Sequence, residues 1–286
     1  MQDNHVRIVI ACLALAAALA APLAVGPFWM TLLTQILIFG LLALAVDLLL
    51  GHAGLFSVCH ASFFAVSAYT VAILQVRYGQ PTIVAAPAGI LAGTLLAFLY
   101  GAAVRTRGVY FILITIAMGY IIWGAMHRWA SFTGGDNGIT NVPAPAIGGV
   151  ALQSQVGYYY FVLAVVIVCA AGYRILVRSP FGLSLRGIKG SESRMQSLGY
   201  RTTAHLYAAF VISGALASLA GVLYKLSYRR VASLASNLAP YVTHLSLGAG
   251  WNRSHMLGRN LARHCNEKLP LKVTEPLNKS RALITS

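Results

Sequence analysis

Charge is what this chain has least of: 9% of its 286 residues are Asp, Glu, Lys or Arg, and only six of them are acids. A water-soluble domain draws about a quarter of its residues from that set, so a globular protein in water is excluded. Cysteine is scarce too. Cys12, Cys59, Cys169 and Cys265 show no paired spacing, which excludes a disulfide framework and leaves them as small buried residues. There is no nucleophile elbow, no Walker lysine loop and no metal-ligand spacing, and His52 and His60 have no convincing third ligand. The sequence thus offers no catalytic constellation, no metal site and no directly bound cofactor.

What the chain has is apolar length, with 58% hydrophobic residues and a mean hydropathy of +0.73. Uncharged runs longer than the roughly 20 residues needed to cross a bilayer recur along it. The fold class expected is therefore all-α, a polytopic helical membrane protein with about seven spans. These are placed at Ile8 to Val25, Phe28 to Leu50, Leu55 to Val76, Ile83 to Val104, Val109 to Met126, Tyr158 to Val177 and Leu206 to Tyr224. Arg7, Arg105, Arg107, Arg174, Arg178, Arg186, Lys189, Arg194 and Arg201 all fall on one side if the amino terminus is cytoplasmic, leaving Arg77 and Arg128 opposite. Tyr158, Tyr159 and Tyr160 would then form an aromatic belt at the outer interface. The amino terminus has signal-peptide features, but apolar character continues past Ala18-Leu19-Ala20 and six more spans follow, so the first span is read as uncleaved.

Residues 1–230 form the expected transmembrane domain, with a cytoplasmic loop at about 178–202. Residues 231–286 form a basic, non-spanning tail. From position 225 onward the chain holds ten of its 21 Lys and Arg but only Glu267 and Glu275 as acids. Seven spans would put this tail outside, against the charge rule. The net charge of +15 is split between the inner loop and the tail without interleaved aromatics, which points to anionic lipid or a cytoplasmic protein and not to nucleic acid.

Small residues set the packing, because lipid supplies no hydrophobic drive between helices. Ala53, Ser57, Ala61 and Ala65 recur every fourth residue, as do Gly89, Gly93, Ala97 and Gly101, and Ser213, Ala217 and Gly221. Gly51 and Gly54 predict a broken helix at membrane depth, tolerated only if protein covers it or it faces a water-filled cavity. Asp47, one turn earlier, is either a functional carboxylate or a snorkelling or capping one. His60 is placed on a face with Ser57 and Phe64, pointing into the bundle as a structural histidine or a proton relay. Asp47, Gly51, Gly54, Ser57 and His60 are the candidates for the broken helix or translocation pathway.

Two loops carry further signal. The outer one contains Gly134-Gly135-Asp136-Asn137-Gly138, a run of turn formers that lacks the repeated carboxylates of a calcium loop and is placed to line the external mouth. The inner one, RSPFGLSLRGIKGSESRMQSLGYR, puts Leu185, Ile188, Met195 and Leu198 on one helical stripe with Arg186, Lys189 and Arg194 off it. A short amphipathic helix along the membrane is expected there, interrupted around Gly187 and Gly190.

At this point the blocks GHAGLFSVCHASFFAVSAYT, RTRGVYFILITIAMGYI, TGGDNGI, RSPFGLSLRGIKGSESRMQSLGY and AAFVISGALASLAGVLY, in that order, resemble bacterial branched-chain amino acid ABC importer permeases from about Leu32 to about Tyr224. The resemblance implies a subunit with no ATPase site of its own in the bacterial inner membrane. It also implies a second permease subunit in a heterodimer, two cytoplasmic ATPases that bind ATP and Mg, and a periplasmic substrate-binding protein. Residues 179–199 would be the coupling element, with Arg178, Leu185, Arg186, Ile188, Lys189, Glu192, Arg194, Leu198 and Gly199 at the ATPase. The chain departs from the family in Asp47, where Asn is common, and in Cys59, where Gly is usual. Residues beyond about Asn237 are expected to be unlike the family fold, as in a truncated or frameshifted ending. The alternatives are a proton-coupled secondary transporter using Asp47 and His60, or a non-transporting membrane scaffold.

Overall fold

The computed structural model describes residues 18–20, 22, 26–106, 108–134, 139, 146, 147, 150, 151 and 154–227. The first expected span and the basic tail lie mostly or wholly outside the described residues. Nine α-helices are described: α1 Pro27–Asp47, α2 His60–Val76, α3 Thr82–Tyr100, α4 Val109–Arg128, the short α5 Ala130–Thr133, α6 Gln155–Arg178, α7 Pro180–Gly190, α8 Glu192–Ser197 and α9 Thr202–Ser227. A two-residue antiparallel strand pair, β1 Ala146–Ile147 and β2 Val150–Ala151, lies in the loop between α5 and α6.

Five helical segments are long and apolar enough to cross a membrane: Phe28–Ala53, Thr82–Arg105, Val109–Arg128, Gln155–Arg178 and Thr202–Ser227. These are the expected second, fourth, fifth, sixth and seventh spans. The third differs, because α2 has 17 residues and begins at His60, not at Leu55. Seventeen residues rise only about 25 Å, short of the roughly 30 Å hydrocarbon thickness. The stretch from Gly54 to Cys59 that leads into it is non-helical but largely buried.

The core is a seam between α2, α3 and α9. At Gly93, a Cβ would lie 2.9 Å from the Phe63 carbonyl oxygen and against Ser218; at Gly221 it would collide with the Phe64 carbonyl. Only glycine lets these backbones approach so closely, as the small-residue pattern of the fourth and seventh spans predicts. The expected stripe through Ala53, Ser57, Ala61 and Ala65 does not form one face. Ala53 and Ser57 precede α2, so helical periodicity begins only at His60, and Ser67 with the Phe63 and Phe64 carbonyls supplies the contacts instead. Phe63 and Phe210, both fully buried, meet edge-to-face at 5.7 Å and fill the space beside the seam.

The aromatic belt also needs correction. Tyr158 and Tyr159 are buried, their hydroxyls donating to the carbonyls of Leu223 and Ala18, and only Tyr160 is exposed. Tyr158 and Tyr159 thus face neighbouring helices and not lipid headgroups.

Candidate functional site

The break between α1 and α2 is built from the chain outward. After Asp47, residues Leu48–Ala53 widen into a π turn, closed by Gly54 in the left-handed region at φ 73°. Its N–H bonds back to the Leu49 carbonyl, as does that of Leu55 at 3.0 Å. A side chain at Gly54 would be strained by that φ and would also meet the Lys189 stem, 2.9 Å from an ideal Cβ. Glycine is thus doubly required there. Gly51 lies inside the π turn, so the helix ends three residues later than the glycine pair suggests.

From Gly54 the chain threads through the bundle without helical bonding, and protein covers it. Leu55, Ser57, Val58 and Cys59 are buried, the Val58 N–H reaches the Thr115 hydroxyl of α4 at 3.4 Å, and Ser57 Oγ lies 3.3 Å from Cys59 Sγ. Irregular backbone at membrane depth survives only with such cover. Cys59 has φ −78°, so the backbone there makes no demand for glycine. His60 Nε2 lies 2.6 Å from Ser213 Oγ, and the Ser213 hydroxyl donates to the Ala45 carbonyl just before the π turn. With its one proton spent on Ala45, Ser213 accepts from His60, which fixes the proton on Nε2. His60 therefore points into the bundle as expected, but it shares no helical face with Ser57, which lies before α2.

The open end of the π turn is held by two clasps. Lys189 Nζ donates to the carbonyls of Gly51 at 2.8 Å and Leu50 at 3.3 Å. A cation on the last carbonyls of a helix satisfies orphan acceptors and opposes the negative end of the helix dipole. On the other side the Tyr173 hydroxyl of α6 donates to Asp47 and lies 3.2 Å from His52 Nδ1, itself 3.9 Å from the Asp47 carboxylate. Asp47 is half exposed at the helix end, fitting the snorkelling expectation. Asp47 and His60 belong to separate hydrogen-bonded groups among the described residues, so no chain of polar contacts joins the two residues of the proton-relay alternative.

Lys189 sits on α7, which packs beneath the break. Ser179 caps α7, accepting from the Gly182 N–H at 3.4 Å, and Pro180 follows at the first helical position. Leu185 and Ile188 are buried, and Arg186 folds back to donate to the Val177 carbonyl at 2.8 Å. The expected interruption falls at Gly190 and not at Gly187. The helix passes through Gly187 unbroken and ends at Ser191, whose extended backbone (φ −164°, ψ 105°) turns the chain into α8. Leu198, at the C-terminal end of α8, therefore lies exposed and off the Leu185–Ile188 face. Met195 packs back against Gly187. Glu192 Oε1 accepts from Thr202 Oγ1 at 2.9 Å, tying α8 to the start of α9, and Gly199 turns the chain at φ 85°. Arg178 and Arg194 are exposed. In the opposite loop Gly134 ends α5 at φ 82°, whereas Gly135, Asp136, Asn137 and Gly138 lie outside the described residues.

The structure thus brings Asp47, Gly51, Gly54 and Lys189 together, and it adds His52, Tyr173, Thr115 and Ser213, which the sequence reading did not place at a site. Tyr173 had a weak signal, a lone phenol beside Arg174 where a span ends. No metal-holding cluster of His, Cys, Asp or Glu occurs among the described residues.

A protein-family model described as the permease component of the branched-chain amino acid transport system matches residues 28–252. That match runs past the recognised blocks and past Asn237, where a departure from the family was expected. The high-affinity branched-chain amino acid transport system permease proteins LivM of Salmonella typhimurium and Escherichia coli are 28% and 27% identical to the chain, each alignment covering 72% of it and 54% of the relative. The chain spans about half the length of these curated relatives. No solved structure gives a significant match.

Proposed function

Because the chain belongs to the permease family of branched-chain amino acid transport systems, we propose that it is a membrane-spanning subunit of an ATP-driven importer. Its solutes are branched-chain or related neutral amino acids. It works in the bacterial inner membrane with the amino terminus inside, beside a second permease subunit, two cytoplasmic ATPases and a periplasmic binding protein. ATP and Mg belong to the ATPases, and this subunit performs no chemistry of its own.

The observation that carries the mechanism is the pair of bonds from Lys189 to the Gly51 and Leu50 carbonyls. In this reading α7 is the coupling element, and Arg178, Arg186, Arg194, Leu198, Gly199 and Glu192 form or support the surface that meets the ATPase. A push on α7 reaches the end of α1 through Lys189, and the irregular stretch 54–59 is the hinge that lets α1 and α2 reorient. Steric work passes this way because packed elements shift between discrete arrangements and do not deform smoothly. Alternating access follows: the binding protein delivers solute, the ATPases close, and the bundle opens inward.

Affinity purification of the chain from membranes tests this. A stoichiometric ATPase and ATP-dependent amino acid uptake by the reconstituted complex are expected. Uptake that collapses with the proton gradient and survives without ATP would instead establish the secondary transporter.

A further inference from the structure

The three-helix seam ends in polar residues on the side remote from α7. On α9 the stripe Ser218, Gly221, Val222 continues one turn to Lys225; on α2 the stripe Ser67, Val71 continues one turn to Gln75; on α3 the stripe Gly93, Gly89 runs out to Thr82. Gly89 joins the stripes, since a Cβ there would touch Val71, Val222 and the Ser67 carbonyl together. Helical register therefore carries Lys225, Gln75 and Thr82 to the same end of one seam.

Lys225 is 1% exposed and Gln75 4%. Gln75 Nε2 donates to Thr82 Oγ1 at 2.8 Å, but Gln75 Oε1 and Lys225 Nζ have no hydrogen-bond partner among the described residues. The only carboxylates among the described residues, Asp47 and Glu192, lie at the α7 end and cannot serve Lys225. A buried lysine amine and, at the same end of the seam, a buried amide oxygen, neither with a partner among the described residues, are costly enough to require a reason. One unpaired cationic donor and one unpaired acceptor are the complement of a zwitterion.

Resting on the importer reading, we propose that Lys225 and Gln75 recognise the two charged ends of an α-amino acid, the Lys225 ammonium receiving the carboxylate and Gln75 Oε1 receiving the ammonium. Thr82 is a positioning residue that orients the Gln75 amide so that its oxygen, not its nitrogen, is offered. The side chain of the solute is left to apolar surroundings, which suits a branched-chain residue.

The test uses the purified complex with its copurifying partners. Thermal unfolding is followed with leucine, with isoamylamine, which lacks the carboxylate, and with 4-methylpentanoate, which lacks the amine. Leucine is expected to raise the midpoint of the native complex and neither analogue to match it. In Lys225→Met the ligand-free complex is at least as stable as the parent, since an uncompensated charge has gone, but the leucine shift is lost; Gln75→Leu reduces the shift. ATP-driven leucine uptake is measured alongside, with KM raised about tenfold or more in Lys225→Met. A full leucine shift and unchanged KM in Lys225→Met, or an equal shift from isoamylamine, overturns the proposal while leaving the importer reading intact. Loss of the second permease from the Lys225→Met complex overturns it in favour of an ion pair between subunits. If the native complex takes up no amino acid but leucine still shifts it through Lys225, the importer reading fails and the site stands. Absence of both fails both.

Discussion

The two ends of the bundle treat their polar groups differently: Lys189 and Asp47 at the α7 end are exposed and bonded, whereas Lys225 and Gln75 at the far end are buried. At the α7 end most polar groups of the break have a protein partner: Lys189 on two carbonyls, Asp47 and His52 on Tyr173, Ser213 on Ala45 and His60 Nε2, with His60 Nδ1 left without one. At the far end Lys225 Nζ and Gln75 Oε1 have none. A joint that must pass force needs its bonds made at rest, whereas a recognition point must keep its bonds for a guest. The difference separates a transmitting end from a receiving end within one seam of helices.

The largest effect that sharpens this comparison should come from the seam that both ends share. Gly221→Leu drives a side chain into the Phe64 carbonyl, and its overpacking is expected to cost about 3 kcal/mol or more, seen as loss of monodisperse protein on size-exclusion chromatography. A normal yield would mean that α2 and α9 are not in contact. Next is Gly54→Val, which combines a left-handed backbone with a clash against Lys189, for about 2 kcal/mol and a lower unfolding midpoint. Ser213→Ala leaves the Ala45 carbonyl and His60 Nε2 unbonded in the interior, a loss of about 1–3 kcal/mol by the same measurement. The smallest change is expected for Asp47→Asn. The amide oxygen still accepts from Tyr173 at a half-exposed site, so stability should move by about 0.5 kcal/mol or less. A large loss there would give the carboxylate charge a role that its exposure does not suggest.

Much of this fold is legible in the sequence, and for physical reasons. Lipid demands long uncharged helices and small residues where they touch, so five spans and the Gly89, Gly93, Gly221 contacts can be read directly. The break at Gly54 is legible because a left-handed residue at a helix end asks for glycine. The start of α2 is not, because Leu55 to Cys59 is as apolar as a helix, and a tertiary bond from the Val58 N–H to the Thr115 hydroxyl takes the place of helical bonding there. The stripe through Leu198 fails because α7 ends at Gly190, where an interruption was expected, and the extended backbone of Ser191 turns the chain away from the Leu185–Ile188 face. Lys189 is read as a charge facing a partner, whereas the structure turns it inward onto the break. Lys225 lies one residue past the expected end of the last span at Tyr224 and is counted with the charges of the C-terminal stretch, whereas α9 continues to Ser227 and buries it. In each case the residue type is visible and its direction is not, since direction depends on helices distant in sequence.

The most direct test of the transmitting end is the ratio of solute imported to ATP hydrolysed by the reconstituted complex carrying Lys189→Met. That substitution keeps an apolar stem of similar length and removes only the bonds to Gly51 and Leu50. The account predicts a complex that assembles and hydrolyses ATP while uptake falls about tenfold or more, the loss expected for two charge-assisted bonds. An unchanged ratio of uptake to hydrolysis would contradict it.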